Sequence, residues 1–169
     1  MATANLTAQR LRELLHYDPE TGVFTYRVKR GICQPGDVAG SEMKRGNHGM
    51  GIDYRRYSSH RLAWLYMTGE WPDKEIDHRD GDPLNNRWEN LRLATSAQNK
   101  QNQRNPKGNN TSGFLGVFLH GHAKDGSPKW RARIQLDGKG THLGLFDTPE
   151  RAHAAYVEAK RRLHPFGIL

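Results

Sequence analysis

Apolar residues first recur at helical spacing in "LTAQRLRELLHY", where Leu11, Leu14 and Leu15 predict one face of a short helix. A turn follows at Asp18-Pro-Glu-Thr-Gly22, and then Phe24, Tyr26 and Val28 alternate with polar residues as in a strand. The pair amounts to a small helix-plus-hairpin scaffold. Residues 30–50 carry Gly31, Gly36, Gly40, Gly46 and Gly49, too many breakers for a long element, so loops around short strands are expected there. "GIDYRRYSSHRLAWLYMTGEWP" then predicts a strand and a helix from about His60, capped by Ser58 or Ser59 and ended by Gly69, with Leu62, Leu65 and Tyr66 facing inward.

From residue 75 the pattern changes. Ile76 leads into Asp77-His78 at the end of a short strand, a glycine- and asparagine-rich loop follows, and "NLRLAT" reads as the returning strand of a hairpin. Thr95 with Gln98 three residues later fits the reciprocal capping pattern, which starts a helix over about Ala97 to Gln103. "KQNQRNPKGNNTSG" has nothing to place in a core and is expected to be a helix end running into a linker.

Beyond it, "GFLGVFL" (113–119), "KWRARIQL" (129–136) and "THLGLF" (141–146) predict three antiparallel strands, the last two joined by a turn at Asp137-Gly-Lys-Gly140. In the middle strand Trp130, Ala132, Ile134 and Leu136 fall on one face and Arg131, Arg133 and Gln135 on the other. Thr148 then caps a helix that begins Pro149-Glu150 and repeats Ala152, Ala155, Tyr156, Ala159 and Leu163 at helical spacing.

Composition adds a polarity to this plan. The 169 residues carry a net charge of +8, but residues 1–99 hold 14 basic and 13 acidic side chains whereas residues 100–169 hold 12 and 5. A polyanion is therefore the natural partner, and the C-terminal part is where it is attracted. Cys33 is the single cysteine, which excludes an internal disulfide framework and any multi-cysteine zinc site and suits a reducing cytoplasm. No apolar run approaches the ~18 residues of a membrane span, so no membrane partner is expected.

The candidate chemistry lies in "DHRDGDPLNNRWENLRLATSAQN". A hard divalent cation takes oxygen ligands, keeps several waters, and is often held by one or two protein groups plus a phosphate. One carboxylate, Asp77, and one amide oxygen, Asn99, suffice for that. His78 beside them is the general base for a water attacking phosphorus, since an imidazole titrates near working pH. Asn90 is the amide best placed to fix the loop and the ring without adding charge. Further carboxylates would repel a DNA phosphate, which explains the run of asparagines at 85, 86, 90, 99 and 102.

This stretch resembles the ββα-metal core of HNH endonucleases of the phage and intron-encoded type, on the pattern Asp-His, an "NN" loop, "NLR", and an asparagine in the helix where others have a histidine. The likeness extends upstream through "HRLAW" and "DPETG". It implies Asp77 and Asn99 as metal ligands, His78 as general base, Asn90 as the brace of the loop, and one divalent cation, Mg2+ or Mn2+. Residues 112–166, with "SGFLGV", "KWRARI" and "LGLFDTPERAHAAY", resemble the Apetala-type DNA-binding domain. That likeness implies DNA contacts from His120, Arg131, Arg133, Gln135, Lys139 and His142, although Phe118 and Leu119 stand where the plant domains place arginines. Arg61, at a helix start, is a further candidate for a phosphate contact. His120, His122, His142, His153 and His164 form no zinc spacing and are taken as surface or DNA-facing.

The expected class is α+β: a nuclease domain over 1–104 with its ββα-metal core at about 75–104 and an N-terminal helix-and-hairpin extension, a linker at 105–111, and a three-stranded antiparallel sheet packed on one helix over 112–166. The expected activity is metal-dependent hydrolysis of phosphodiester bonds in duplex DNA, with no small-molecule substrate, in the cytoplasm, the host's if a phage encodes the chain. Two other classes stay open: a transcription-factor-like DNA-binding protein with an inert nuclease fold, and an RNA-directed protein. Mobile-element propagation, genome packaging and host-DNA degradation would each accommodate this architecture.

Overall fold

The computed structural model describes residues 6–44, 46–103, 106, 108–136, 138–164 and 166–167. They divide into two compact units between Ala94 and Thr95.

The first unit opens with α1 (Ala8–Leu14), whose cap Thr7 accepts the Arg10 backbone N–H on its hydroxyl. Leu15 leaves the predicted helix to begin β1 (Leu15–Tyr17), which pairs antiparallel with β2 (Phe24–Tyr26). The reason is legible afterwards: Leu15 and Tyr17 are buried around an exposed His16, so the same leucine fits a period of two as well as a helix. Val28 was expected to extend the second strand, but β2 stops at Tyr26 and Val28 is exposed. The glycine-rich segment holds β3 (Ser41–Glu42) and the start of β4 (His48–Ile52), and β5 (Arg55–Ser58) completes a sheet of order β3-β4-β5.

α2 (Ser59–Thr68) follows with Ser58 at its N-cap and Gly69 at its C-cap, where φ of +85° needs a residue without a Cβ penalty. Leu62 and Leu65 are fully buried, and Tyr66 packs edge-on to Tyr17 and Phe24. The last element pair of the unit is the hairpin β6 (Glu75–His78) and β7 (Leu91–Ala94), in which Ile76 faces Leu93, Asp77 faces Arg92 and His78 faces Leu91. Ile76 and Leu91 join Leu11, Leu15, Tyr17, Phe24, Ile52, Leu62 and Leu65 in one core, which anchors the hairpin to the scaffold.

The second unit begins with α3 (Ser96–Gln101), started by the predicted capping box: Thr95 accepts from Gln98 N, and the Gln98 side chain accepts from Thr95 N. The sheet is β8 (Val117–His122), β9 (Pro128–Leu136) and β10 (Lys139–Phe146), in order β10-β9-β8, with α4 (Pro149–Leu163) packed on it. Val117, Ala132 and Ala152 form one buried cluster, and Ile134, Tyr156 and Ala159 another. Small residues on α4 let the helix lie close to the strands.

Three expectations are corrected here. The first strand starts at Val117, not 113, because Gly113 and Gly116 both have φ of +75° and break the extended backbone. At Gly116 a Cβ would overlap the Tyr156 ring, so that turn is set by the helix contact. His164 is buried, its Nε2 2.7 Å from the Gln135 carbonyl, and His153 is half-buried with Nδ1 3.2 Å from the Leu115 carbonyl. Neither is the surface residue the sequence predicted, since both lie along α4 as it packs. Of the expected linker, residues 105 and 107 lie outside the described residues, as does Asp137 of the β9–β10 turn; Asn110 is held by bonds from its amide to the Phe114 and Val117 carbonyls.

Candidate active site

The hairpin β6–β7 delivers two polar side chains into a largely buried position: Asp77 is 5% exposed and His78 is 8% exposed. Asp77 stands opposite Arg92 in the ladder, and its Oδ2 accepts from both Nε and Nη2 of that arginine at 2.9 Å. A buried carboxylate is costly unless paired, and the cross-strand partner supplies the pairing.

His78 ends the strand. Its Nε2 lies 3.3 Å from Oδ1 of Asn86, whose own amide nitrogen donates to the Leu84 carbonyl at 3.0 Å. Because an amide oxygen only accepts, the proton belongs on Nε2 and the basic lone pair on Nδ1. Asn86 is in turn fixed by the N-terminal hairpin: the Tyr17 hydroxyl donates to its carbonyl at 2.6 Å, and Trp88 N donates to the Pro19 carbonyl at 3.0 Å. At Gly22, φ of +75° and backbone atoms of Asn86 and Arg87 where a Cβ would sit leave room for glycine alone. The Asp18–Gly22 turn thus braces the loop that orients the imidazole.

Asn90 holds the loop together. Its Oδ1 accepts from Asp80 N at 3.0 Å, and its Nδ2 donates to Asp80 Oδ1 at 2.9 Å and to the Asn85 carbonyl at 2.7 Å. Burial by itself would raise the Asp80 carboxyl, but bonds from Asp82 N, Asn85 and Asn90 hold it below the usual carboxylate range. Asn90 thus bonds within the loop, and the amide that meets the ring is Asn86. The "NN" dipeptide was the available signal, but which asparagine reaches the imidazole depends on the three-dimensional turn. Arg92 was equally accessible, since a hairpin pairing Ile76 with Leu93 puts Arg92 opposite Asp77.

His60 lies edge-on to His78, ring centroids 5.2 Å apart, with its Nδ1 buried and without a hydrogen-bond partner among the described residues. Burial, then the charges of His78 and Arg61, push the His60 imidazole down to about 4. An unfolded histidine titrates near 6.5, so between those values the unfolded chain binds the additional proton. Stability is complete above the unfolded value and falls as pH drops towards the folded one, by about 3 kcal/mol in all. Urea denaturation across that interval checks this, and His60→Gln is expected to flatten the slope.

Arg61 rests over the Trp71 ring at 5.7 Å. Asn99 lies in α3, its N–H on the Thr95 carbonyl at 2.9 Å, and belongs to the second unit. In that unit Arg133 and Gln135 are exposed on β9, His142 stands exposed opposite Arg133, Lys139 opens β10, and His120 is exposed at the irregularity in β8. Arg131 is half-buried on the same face of β9.

The donor set fits a hard cation. Among the described residues no cluster of three or more His, Cys, Asp or Glu could hold a metal ion. One carboxylate with neutral amides is the set that suits an ion keeping most of its water until a phosphate arrives. Among the described residues no helix is long and apolar enough to cross a membrane.

Residues 57–101 match the family described as HNH endonuclease, a match that runs from β5 through α3. Protein 3.8 of Escherichia phage T7 is 34% identical over 112 residues, 66% of this chain and 88% of its own. No solved structure matches the chain.

Proposed function

The chain belongs to the HNH endonucleases, with phage T7 Protein 3.8 as a homologue, and from that premise we propose that it is a divalent-metal-dependent endonuclease of duplex DNA. The observation that carries the reading is the held imidazole: His78, buried next to Asp77 in the chain, with its Nε2 3.3 Å from Oδ1 of Asn86. With Nε2 turned to Asn86, Nδ1 is the nitrogen that would take a proton from water. Asp77 at β6 and Asn99 in α3 are the residues that would hold the ion, as the resemblance to a ββα-metal core over about 75–104 implies. When bound, Mg2+ or Mn2+ supplies Lewis-acid stabilisation of phosphate and leaving-oxygen charge.

The other residues position and grip. Arg92 orients the Asp77 carboxylate and offsets its charge, so a DNA phosphate meets less repulsion. Asn90 fixes the loop, and Arg61 is a candidate for a flanking phosphate. Over 112–166 the sheet resembles the Apetala-type domain, and His120, Arg131, Arg133, Gln135, Lys139 and His142 are its proposed DNA contacts, supported by 12 basic against 5 acidic residues from residue 100 onwards. Hydrolysis at the 3′ oxygen leaves a 5′ phosphate and a 3′ hydroxyl.

Incubating the purified chain with supercoiled plasmid over a metal series tests this. Conversion to nicked or linear DNA with Mg2+ or Mn2+, blocked by chelator, with ligatable 5′-phosphate ends, is the expected result. Salt-sensitive binding without cleavage in any metal would instead make it a DNA-binding protein with an inert nuclease fold.

A further inference from the structure

On the exposed face of the second unit's sheet, three side chains from three strands line up. Arg131 of β9 stands opposite Phe118 of β8 and Leu145 of β10, and directly opposed residues share a face. Trp130, Ala132 and Ile134 point the other way into the clusters under α4. Phe118 is 45% exposed and Leu145 49% exposed, so folding leaves two large apolar groups in water on either side of one guanidinium.

Among the described residues no ion pair includes Arg131, and its Nε is buried without a hydrogen-bond partner. Lys129, two residues earlier on the same face, is tied to Asp147. Arg133 lies over Gly140, where a Cβ would collide with its guanidinium. Arg131 is therefore a half-buried cation set between two apolar residues, with no ion pair among the described residues. A guanidinium fits the O6 and N7 acceptors of guanine, and an apolar group beside it fits the C5-methyl of thymine. Strands about 4.8 Å apart put such contacts on the scale of the ~3.4 Å base step.

We propose that Phe118, Arg131 and Leu145 form one base-reading row in the major groove of duplex DNA, Arg131 on a guanine edge and the two apolar side chains on the methyl groups of adjacent thymines. This rests on the reading of the sheet as the DNA face. It assigns a sequence preference, guanine next to thymine, and makes the departure from arginine at Phe118 part of the recognition. The occupant is DNA and not RNA, because uracil lacks the methyl and the RNA major groove is too narrow for side chains.

The full chain, in chelator to prevent cutting, is used to select tight-binding duplexes from a random pool, and each selected thymine is then replaced by deoxyuridine. The expected result is enrichment of guanine-thymine steps and a loss of about fourfold in affinity per methyl removed. Phe118→Ser with Leu145→Ser, both at exposed positions, removes the difference between thymine and uracil while duplex binding persists. Equal affinity for thymine and deoxyuridine sites, selected sites without the step, or preference for RNA overturns the row. Arg131→Ala with Arg133→Ala separates the two claims: if that variant binds duplex as well as the native chain, the sheet is not the DNA face at all; if binding falls but the methyl is not felt, the row alone fails.

Discussion

Replacing His78 by alanine is expected to slow plasmid cleavage by about 10²–10⁴-fold, the usual contribution of a general base, and to leave DNA affinity nearly unchanged. The ring is 8% exposed, whereas duplex affinity comes mainly from cations on phosphates. Losing the imidazole therefore removes proton transfer and little binding. Asn86→Ala acts through the same ring: with Oδ1 gone, Nε2 loses its acceptor and the tautomer is no longer fixed, so cleavage falls while the general base is still present. Gel-shift and nicking assays on the same preparations read the two quantities separately.

Asp77→Ala is expected to abolish cleavage and to cost about 3 kcal/mol of stability, because removing one member of a buried pair strands the other. Arg92 donates twice to Asp77 Oδ2, and its side chain is only 16% exposed. A second change, Arg92→Met, tests the origin of that cost. In the double variant the buried charge is gone, so denaturant midpoints recover most of the loss, yet cleavage stays absent because the carboxylate is still missing. Recovery of stability without recovery of activity separates the structural from the chemical use of Asp77.

Much of this site is local in sequence and so was readable there. Asp77-His78 at a strand end, the loop asparagines, and Thr95 with Gln98 all lie within about one hairpin and one turn, where spacing decides neighbours. What escaped was set by chain segments far apart. Tyr17 and Gly22 brace Asn86 from some 65 residues away, and no local pattern selects Asn86 over Asn85 for the ring. Leu15 satisfied helix and strand periods alike, and pairing with Tyr26 decided between them. His153 and His164 read as surface because histidine tolerates either environment, and only α4 docking on the sheet buries them. Phe118 stands across from Arg131 and so ran against the polar face expected of the sheet, and such a break of pattern is where a functional site is to be sought.

The proposed centre is one ion held by Asp77 and Asn99, with His78 as the base. Crystals of the His78→Ala chain with duplex DNA and manganese, measured for anomalous scattering, test it most directly. It predicts a single peak at about 2.1 Å, the octahedral hard-ion distance, from both the Asp77 carboxylate and the Asn99 amide oxygen and touching a DNA phosphate. A peak held by other side chains, or none while Arg92 still occupies Asp77, would contradict it.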